Sequence, residues 1–100
     1  MKPGETISNK DISLKFVDYV DSRCPEGATC ITAGYAAAYM EMSGDSATVP
    51  FTIGDGGSPY EIQFTAMSYK VRFVDLRPYP KEGETLSAKD YKLYLNITKL

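Results

Sequence analysis

The chain has 100 residues, enough for a single domain with one core. Hydrophobic residues make up 43% and charged residues 24%, a composition that excludes intrinsic disorder. The net charge is −2, so no basic excess exists to neutralise the phosphates of a nucleic acid. Histidine is absent, which excludes Ser-His-Asp and Cys-His catalysis and His-ligated metals. We therefore expect neither an enzyme nor a nucleic-acid-binding protein, and no metal or cofactor.

The beginning of the chain predicts a polar segment followed by a strand. Residues 1–10 look like a flexible N-terminal tether, and residues 11–100 look like one domain. Apolar and polar residues alternate over residues 12–16, as in a half-buried strand. The alternation changes phase where Phe16 and Val17 are adjacent, which indicates a bulge or a sharp bend.

The segment from residue 30 to residue 42 fits both a helix and a strand. Residues 35–42 are good helix formers, but the alternation from Ile31 to Tyr39 is typical of a strand. We favour a strand, since a hairpin closed by the preceding cysteine loop explains the order of the segments. Residues 49–53 predict a further short strand, in which Pro50 marks an edge position or the start of the strand.

The second half of the chain predicts three more strands. They are a brief alternation at residues 61–65, a strand at residues 69–73 with Lys70 and Arg72 outward, and a long final strand at residues 91–98. Another change of phase falls at residues 74–76. Five or six strands with mid-strand bends predict an all-β fold. We expect closure into a small five-stranded barrel, because closure removes exposed sheet edges.

The chain has two cysteines, Cys24 and Cys30, with five residues between them. This spacing fits neither a four-ligand zinc site nor a Cys-x-x-Cys redox motif. The pair predicts a local disulfide in an exported protein, and two reduced thiols in a cytosolic protein are the alternative. No signal peptide is visible, so export implies that a signal was removed and that Met1 is an added start.

The tyrosines divide by their position in the alternation. Tyr35, Tyr39, Tyr69 and Tyr91 lie on apolar phases and are expected in the core, whereas Tyr79 and Tyr94 are expected at the surface.

The cysteine loop is the segment that stands out. It reads Asp21-Ser22-Arg23-Cys24-Pro25-Glu26-Gly27-Ala28-Thr29-Cys30. One interpretation is a stabilised hairpin tip in which Asp21 or Ser22 accepts local backbone hydrogen bonds. The other is a rigid, protruding loop that binds a partner, a shape that suits insertion into a peptidase cleft.

The same segment carries a family resemblance. The string Asp21-Ser22-Arg23-Cys24-Pro25, followed by Cys30 and Ala33-Gly34, resembles a family of small exported bacterial proteins that are often lipoproteins. The later Arg77-Pro78-Tyr79-Pro80 belongs to the same pattern, and the likeness spans about residues 12–98. Thr32 stands where many of these relatives carry Trp. Size and strand count are similar to the potempins, outer-membrane lipoproteins of a periodontal bacterium that inhibit its own secreted peptidases. Several potempins have a five-stranded OB-type barrel, so the resemblance implies an OB-like barrel with one disulfide-clamped loop.

The resemblance implies a peptidase inhibitor, exported to the cell surface or outer membrane as a lipoprotein. It would be a monomer when free, and it would reach the membrane only through a lipid anchor. Its peptidase-binding loop would comprise Asp21, Ser22, Arg23, Pro25, Glu26, Gly27, Ala28 and Thr29, clamped by Cys24 and Cys30.

The class of target peptidase is left open, with a metallopeptidase favoured. In a metallopeptidase, Asp21 or Glu26 would be the carboxylate that approaches the metal. In a serine peptidase, Arg23 would be the natural specificity residue. If the disulfide loop does not enter the peptidase cleft, the loop of residues 54–60 is the next candidate to do so.

The alternative function is a cell-surface binding module for a small ligand or polysaccharide, using exposed tyrosines. A third possibility is a stabilising domain without a ligand.

Overall fold

The computed structural model describes residues 1–31, 34–56 and 60–100. Within these ranges the chain forms seven β-strands, one short 3₁₀ helix at Ala88–Asp90 and no α-helix, which confirms the predicted all-β class. The strands are β1 (Thr6–Ser8), β2 (Ser13–Asp21), β3 (Ala36–Ser43), β4 (Thr48–Gly54), β5 (Gln63–Ala66), β6 (Tyr69–Arg77) and β7 (Lys92–Lys99). The strand interpretation of the ambiguous third segment is confirmed over β3, which begins at Ala36.

The strands form two antiparallel sheets, not the closed five-stranded barrel that the sequence predicts. One sheet has the order β1-β2-β3-β4 and the other β5-β6-β7. The sheets are joined by isolated backbone bonds: Gly54 N–H donates to Glu61 O at 2.8 Å, and Leu93 N–H donates to Met1 O at 2.7 Å. These isolated bonds do not form a ladder of paired residues. The edge strand β1 is therefore not paired with β7, and the edge strand β4 is not paired with β5.

The segment predicted as an N-terminal tether contributes a strand to the first sheet. Residues 6–8 form β1, which pairs with β2 so that Ile7 lies opposite Leu14. Further toward the N-terminus, Gly4 N–H donates to Phe16 O at 2.7 Å. Met1 packs against the core. A three-residue strand is too short for its alternation to be recognised in the sequence.

Both predicted changes of phase are β-bulges. The register shifts between Phe16 and Asp18 in β2 and between Phe73 and Asp75 in β6. The two bulges fall on the same tripeptide, Phe-Val-Asp, and the valine points outward in each, at 44% exposure for Val17 and 57% for Val74. In each bulge the aspartate carboxylate accepts the N–H of the next residue, at 2.8 Å and 2.9 Å. The carboxylate thereby satisfies a donor at the disrupted point of the ladder.

The two sheets bury one common core. Its members come from both sheets: Ile12, Leu14, Phe16, Ala36, Ala38, Met40, Met42, Phe51, Ile53, Tyr69, Val71, Phe73, Leu76, Tyr91 and Leu93. The rings of Phe51 and Phe64 stack across the sheets with centroids 4.3 Å apart. As predicted, Tyr69 and Tyr91 are buried, and Tyr79 and Tyr94 are exposed. Tyr35 and Tyr39 are only half-buried, because they lie outside this core.

Candidate functional site

The predicted disulfide is present. Cys24 and Cys30 are bonded, with their Cα atoms 5.9 Å apart. Together they close the disulfide loop, residues 24–30, between the paired strands β2 and β3. The bond is consistent with an oxidising, exported compartment. In the described part of the chain, no helix has the length and apolar character needed to cross a membrane.

Arg23 lies at the base of the disulfide loop and is buried, with 8% exposure. Its Nε donates to Asp21 Oδ1 at 2.8 Å and its Nη2 donates to Asp21 Oδ2 at 3.1 Å. Its Nη1 reaches across to the second sheet and donates to Leu76 O at 2.8 Å. The two side chains of this ion pair are therefore part of the fold, and neither is presented to solvent as a contact residue.

Tyr91 completes the polar cluster around Asp21. Its hydroxyl donates to Asp21 Oδ2 at 2.7 Å, and its ring lies 4.4 Å from the ring of Tyr19. Burial would raise the pKa of Asp21, but the hydrogen bonds from Arg23 and Tyr91 outweigh it and hold that pKa below its ordinary value. Burial and the adjacent Asp21 carboxylate raise the pKa of the Tyr91 hydroxyl.

Ser22 and Gly34 fix the crossing of the two chain segments that leave the loop. Ser22 N–H donates to Tyr35 O at 2.9 Å, and Tyr35 N–H donates to Ser22 Oγ at 3.2 Å. Gly34 has φ +69°, and a Cβ at this position would lie 1.9 Å from the carbonyl oxygen of Ser22. Only glycine fits such an approach. The Asp-Ser-Arg-Cys and Gly34 parts of the motif thus build the base of the loop.

A second loop, residues 78–84, runs beside the disulfide loop and is named here the companion loop. Glu26 N–H donates to Pro80 O at 2.8 Å, and Glu82 N–H donates to Glu26 O at 2.9 Å. Arg23 Nη2 also donates to Pro78 O at 3.3 Å. The two segments that carry the family resemblance are therefore in contact, and the two loops form a single tip.

The two loops contain the same turn. The N–H of residue 28 donates to the carbonyl oxygen of residue 25 at 3.0 Å, and the N–H of residue 84 donates to that of residue 81 at 3.1 Å. In each turn a Glu-Gly pair occupies the centre, and Gly27 and Gly83 have φ values of +93° and +85°. Each Glu-Gly follows one of the two Phe-Val-Asp bulged strands. That recurrence is the signal in the sequence from which the pairing of the two loops could have been predicted.

The predicted contact residues divide into a base and a tip. Among the tip residues, Glu26, Gly27 and Thr29 are exposed, whereas Pro25 and Ala28 are half-buried. Ser22 is exposed but belongs to the base through its backbone bonds.

Sequence reasoning missed Ile31. Its place in an alternating pattern predicted a strand residue, but β3 begins only at Ala36, and the Ile31 side chain is fully exposed immediately after Cys30. Thr32 and Ala33, which also figure in the family pattern, lie outside the described residues.

The other candidate loop, residues 54–60, includes residues 57–59, which lie outside the described part of the chain. At its end, Tyr60 joins Tyr35 and Tyr39 in a small cluster. The hydroxyls of Tyr39 and Tyr60 are 3.1 Å apart, and this hydrogen bond raises the pKa of Tyr60. Among the described residues, no three His, Cys, Asp or Glu side chains are grouped so as to hold a metal ion.

Comparison of the chain with protein-family models, with curated proteins and with solved structures gave no match. What the protein does is therefore inferred from its own residues.

Proposed function

We propose that the protein is a peptidase inhibitor that inserts its two-loop tip into the active-site cleft of a secreted peptidase. The observation that carries this proposal is a fully exposed isoleucine, Ile31, placed directly after a covalently clamped loop. The protein performs no catalysis itself, and it acts as a monomer from the cell surface or outer membrane of the cell that exports it. The disulfide supports an oxidising compartment.

The tip is organised before any partner arrives. A covalent bond closes the disulfide loop, and two backbone hydrogen bonds tie Glu26 to the companion loop. The buried Arg23–Asp21 pair holds the base against the second sheet. A loop restrained in this way loses little conformational entropy on binding, so more of the contact energy appears as affinity.

Ile31 is suited to be the apolar anchor of such a contact. Single exposed apolar residues are common on protein surfaces, but this one adjoins a loop that is clamped at both ends. Burying an isoleucine side chain in a partner's pocket contributes about 2–3 kcal/mol. Interface energy is generally concentrated in a few such side chains surrounded by polar contacts.

The surroundings of Arg23 favour a metallopeptidase over a serine peptidase with a basic specificity pocket. The guanidinium is engaged by Asp21 and by the Leu76 carbonyl, so it is not free to enter a pocket. Asp21 is engaged in the same cluster. Glu26 is exposed and is the one acidic residue between the two cysteines. Its carboxylate is a suitable ligand for the zinc of a metallopeptidase.

The test is incubation of the protein with a panel of zinc and serine endopeptidases, followed by gel filtration and assay of residual activity. We expect a stoichiometric, inactive complex with at least one zinc endopeptidase, with the inhibitor chain intact. The protein carrying both Cys24→Ser and Cys30→Ser tests the mechanism, and far-UV circular dichroism shows whether it is folded. Absence of a complex with every peptidase, or undiminished inhibition by the folded double variant, would overturn the proposal.

A further inference from the structure

The outer face of the β5-β6-β7 sheet is positively charged. Tyr69, Val71, Phe73 and Leu76 of β6 point into the core, so the intervening side chains of this strand point outward. The register brings the outward residues of neighbouring strands side by side: Arg72 lies opposite Asn96, and Arg77 lies opposite Lys92. The cations of this face, named here the basic face, are Lys70, Arg72, Arg77 and Lys92.

One acidic residue lies among these cations. Arg77 Nε pairs with Asp75 Oδ2 at 2.8 Å, and the Arg77 guanidinium lies 4.8 Å from the centre of the Tyr94 ring. Among the described residues, Lys70, Arg72 and Lys92 form no salt bridge. A protein with a net charge of −2 thus carries a local excess of positive charge on one sheet face.

The spacing of the cations suits an extended anionic chain. Arg72 and Arg77 are five residues apart on β6, which corresponds to about 15 Å at the usual rise of a strand. Lys92 lies on the adjacent strand, about 5 Å away across the ladder. Amide side chains lie beside Arg72 on both neighbouring strands, Gln63 on β5 and Asn96 on β7. They supply hydrogen-bonding groups between the positive charges.

We propose that the basic face binds an anionic polysaccharide, whose carboxylate or sulfate groups pair with Lys70, Arg72 and Lys92. Its sugar hydroxyls would form hydrogen bonds with the side-chain amides of Gln63 and Asn96. The proposal does not depend on peptidase inhibition, because its residues lie on the sheet and not in the two-loop tip. The sequence left open a polysaccharide-binding function, and this proposal assigns that function to one surface of the protein.

The aromatic content of the basic face favours a polysaccharide over a nucleic acid. Sheets that bind single strands stack successive bases on several open aromatic rings. On the described strands of this sheet, Tyr94 is the one aromatic side chain on the outer face, and the Arg77 guanidinium already lies over its ring.

The test is binding of the whole protein to polygalacturonate and to dextran sulfate, measured by isothermal titration calorimetry at about 20 mM salt, where surface charges are weakly screened. Neutral dextran and oligodeoxythymidylate are the comparison ligands. We expect binding to one or both anionic polysaccharides and none to neutral dextran. Binding to polygalacturonate would indicate a carboxylated ligand, and binding to dextran sulfate would indicate a sulfated one.

Two triple variants with the same net charge separate a site from general attraction. The first carries Lys70→Gln, Arg72→Gln and Lys92→Gln. The second carries Lys10→Gln, Lys15→Gln and Lys89→Gln, all exposed and outside the strands that form the basic face. We expect affinity to fall about tenfold or more in the first and to stay within about twofold in the second. Equal losses in the two variants, no binding at low salt, or tighter binding of oligodeoxythymidylate would overturn the proposal.

Discussion

The Nε atom of Arg23 lies 2.8 Å from Oδ1 of Asp21, and this buried ion pair lies at the base of the disulfide loop. The same arginine reaches the Leu76 carbonyl of the other sheet, so the pair ties the loop base to the core. The most conspicuous charged residues of the motif therefore stabilise the loop. Under the proposed function, contact with a partner is left to the exposed tip and to Ile31, the fully exposed apolar side chain that directly follows the disulfide loop.

Replacement of Asp21 by asparagine should destabilise the protein substantially. Removing one partner of a buried ion pair leaves the other charge uncompensated, at a cost of about 3 kcal/mol in the free energy of unfolding. Urea denaturation measures this loss. The exposed Asp45→Asn variant is the matched control and should change the free energy by less than about 0.5 kcal/mol. Equal stability of the two variants would show that the pair does not support the fold.

The stabilisation by Asp21 should also depend on pH. Its pKa in the folded protein lies below the value of about 3.9 of an unfolded aspartate, so its stabilisation is complete above that value and is lost as the pH falls through the folded pKa. The difference in unfolding free energy between the unaltered protein and Asp21→Asn should be constant above about pH 5 and shrink below about pH 4.

The comparison with Asp21→Asn is needed because other aspartates also titrate in this range. The pKa of Asp11 is lowered by the hydrogen bond from Tyr69, and that of Asp90 by the N–H of Ser87. Both are present in the two proteins and cancel in the difference. A difference that persists unchanged to about pH 2 would contradict the role given to Asp21.

Gly34→Ala should be far more damaging than Gly83→Ala. Both glycines have positive φ, +69° and +85°, so alanine is strained at either position, by about 1 kcal/mol. At Gly34 a Cβ would also meet the Ser22 carbonyl oxygen at 1.9 Å, whereas at Gly83 it would meet nothing within 4 Å. Thermal unfolding should place the Gly34→Ala midpoint well below that of Gly83→Ala. Similar midpoints would mean that the crossing at Ser22 is not tightly packed.

The parts of the fold that were predicted correctly are those with local signals. Both bulges were predicted from the change of phase at adjacent apolar residues, Phe16-Val17 and Phe73-Val74, because a strand whose alternation changes phase must shift its register to keep its apolar side chains in the core. Barrel closure was predicted wrongly, because it depends on ladders between edge strands that are distant in sequence. The short β1 was missed because three residues show no recognisable alternation, so that only its pairing with β2 identifies it.

The site was only partly predictable from the sequence. The clamped loop and its disulfide follow from the cysteine spacing. The burial of Arg23 does not, since its partner Leu76 is 53 residues away and contributes a backbone carbonyl that has no sequence signature. The exposure of Ile31 was not predicted, because its alternation with later residues indicates a strand, whereas β3 begins only five residues further on.

The inhibition constant of the Ile31→Asp protein, against a zinc endopeptidase that the unaltered protein inhibits, tests the central claim most directly. Val74→Asp is the control, because Val74 is an exposed apolar residue outside the tip. The account predicts that Ile31→Asp weakens inhibition about 30-fold or more, the loss typical of an interface anchor, and that Val74→Asp changes it less than about threefold. Equal inhibition by the two variants would contradict it.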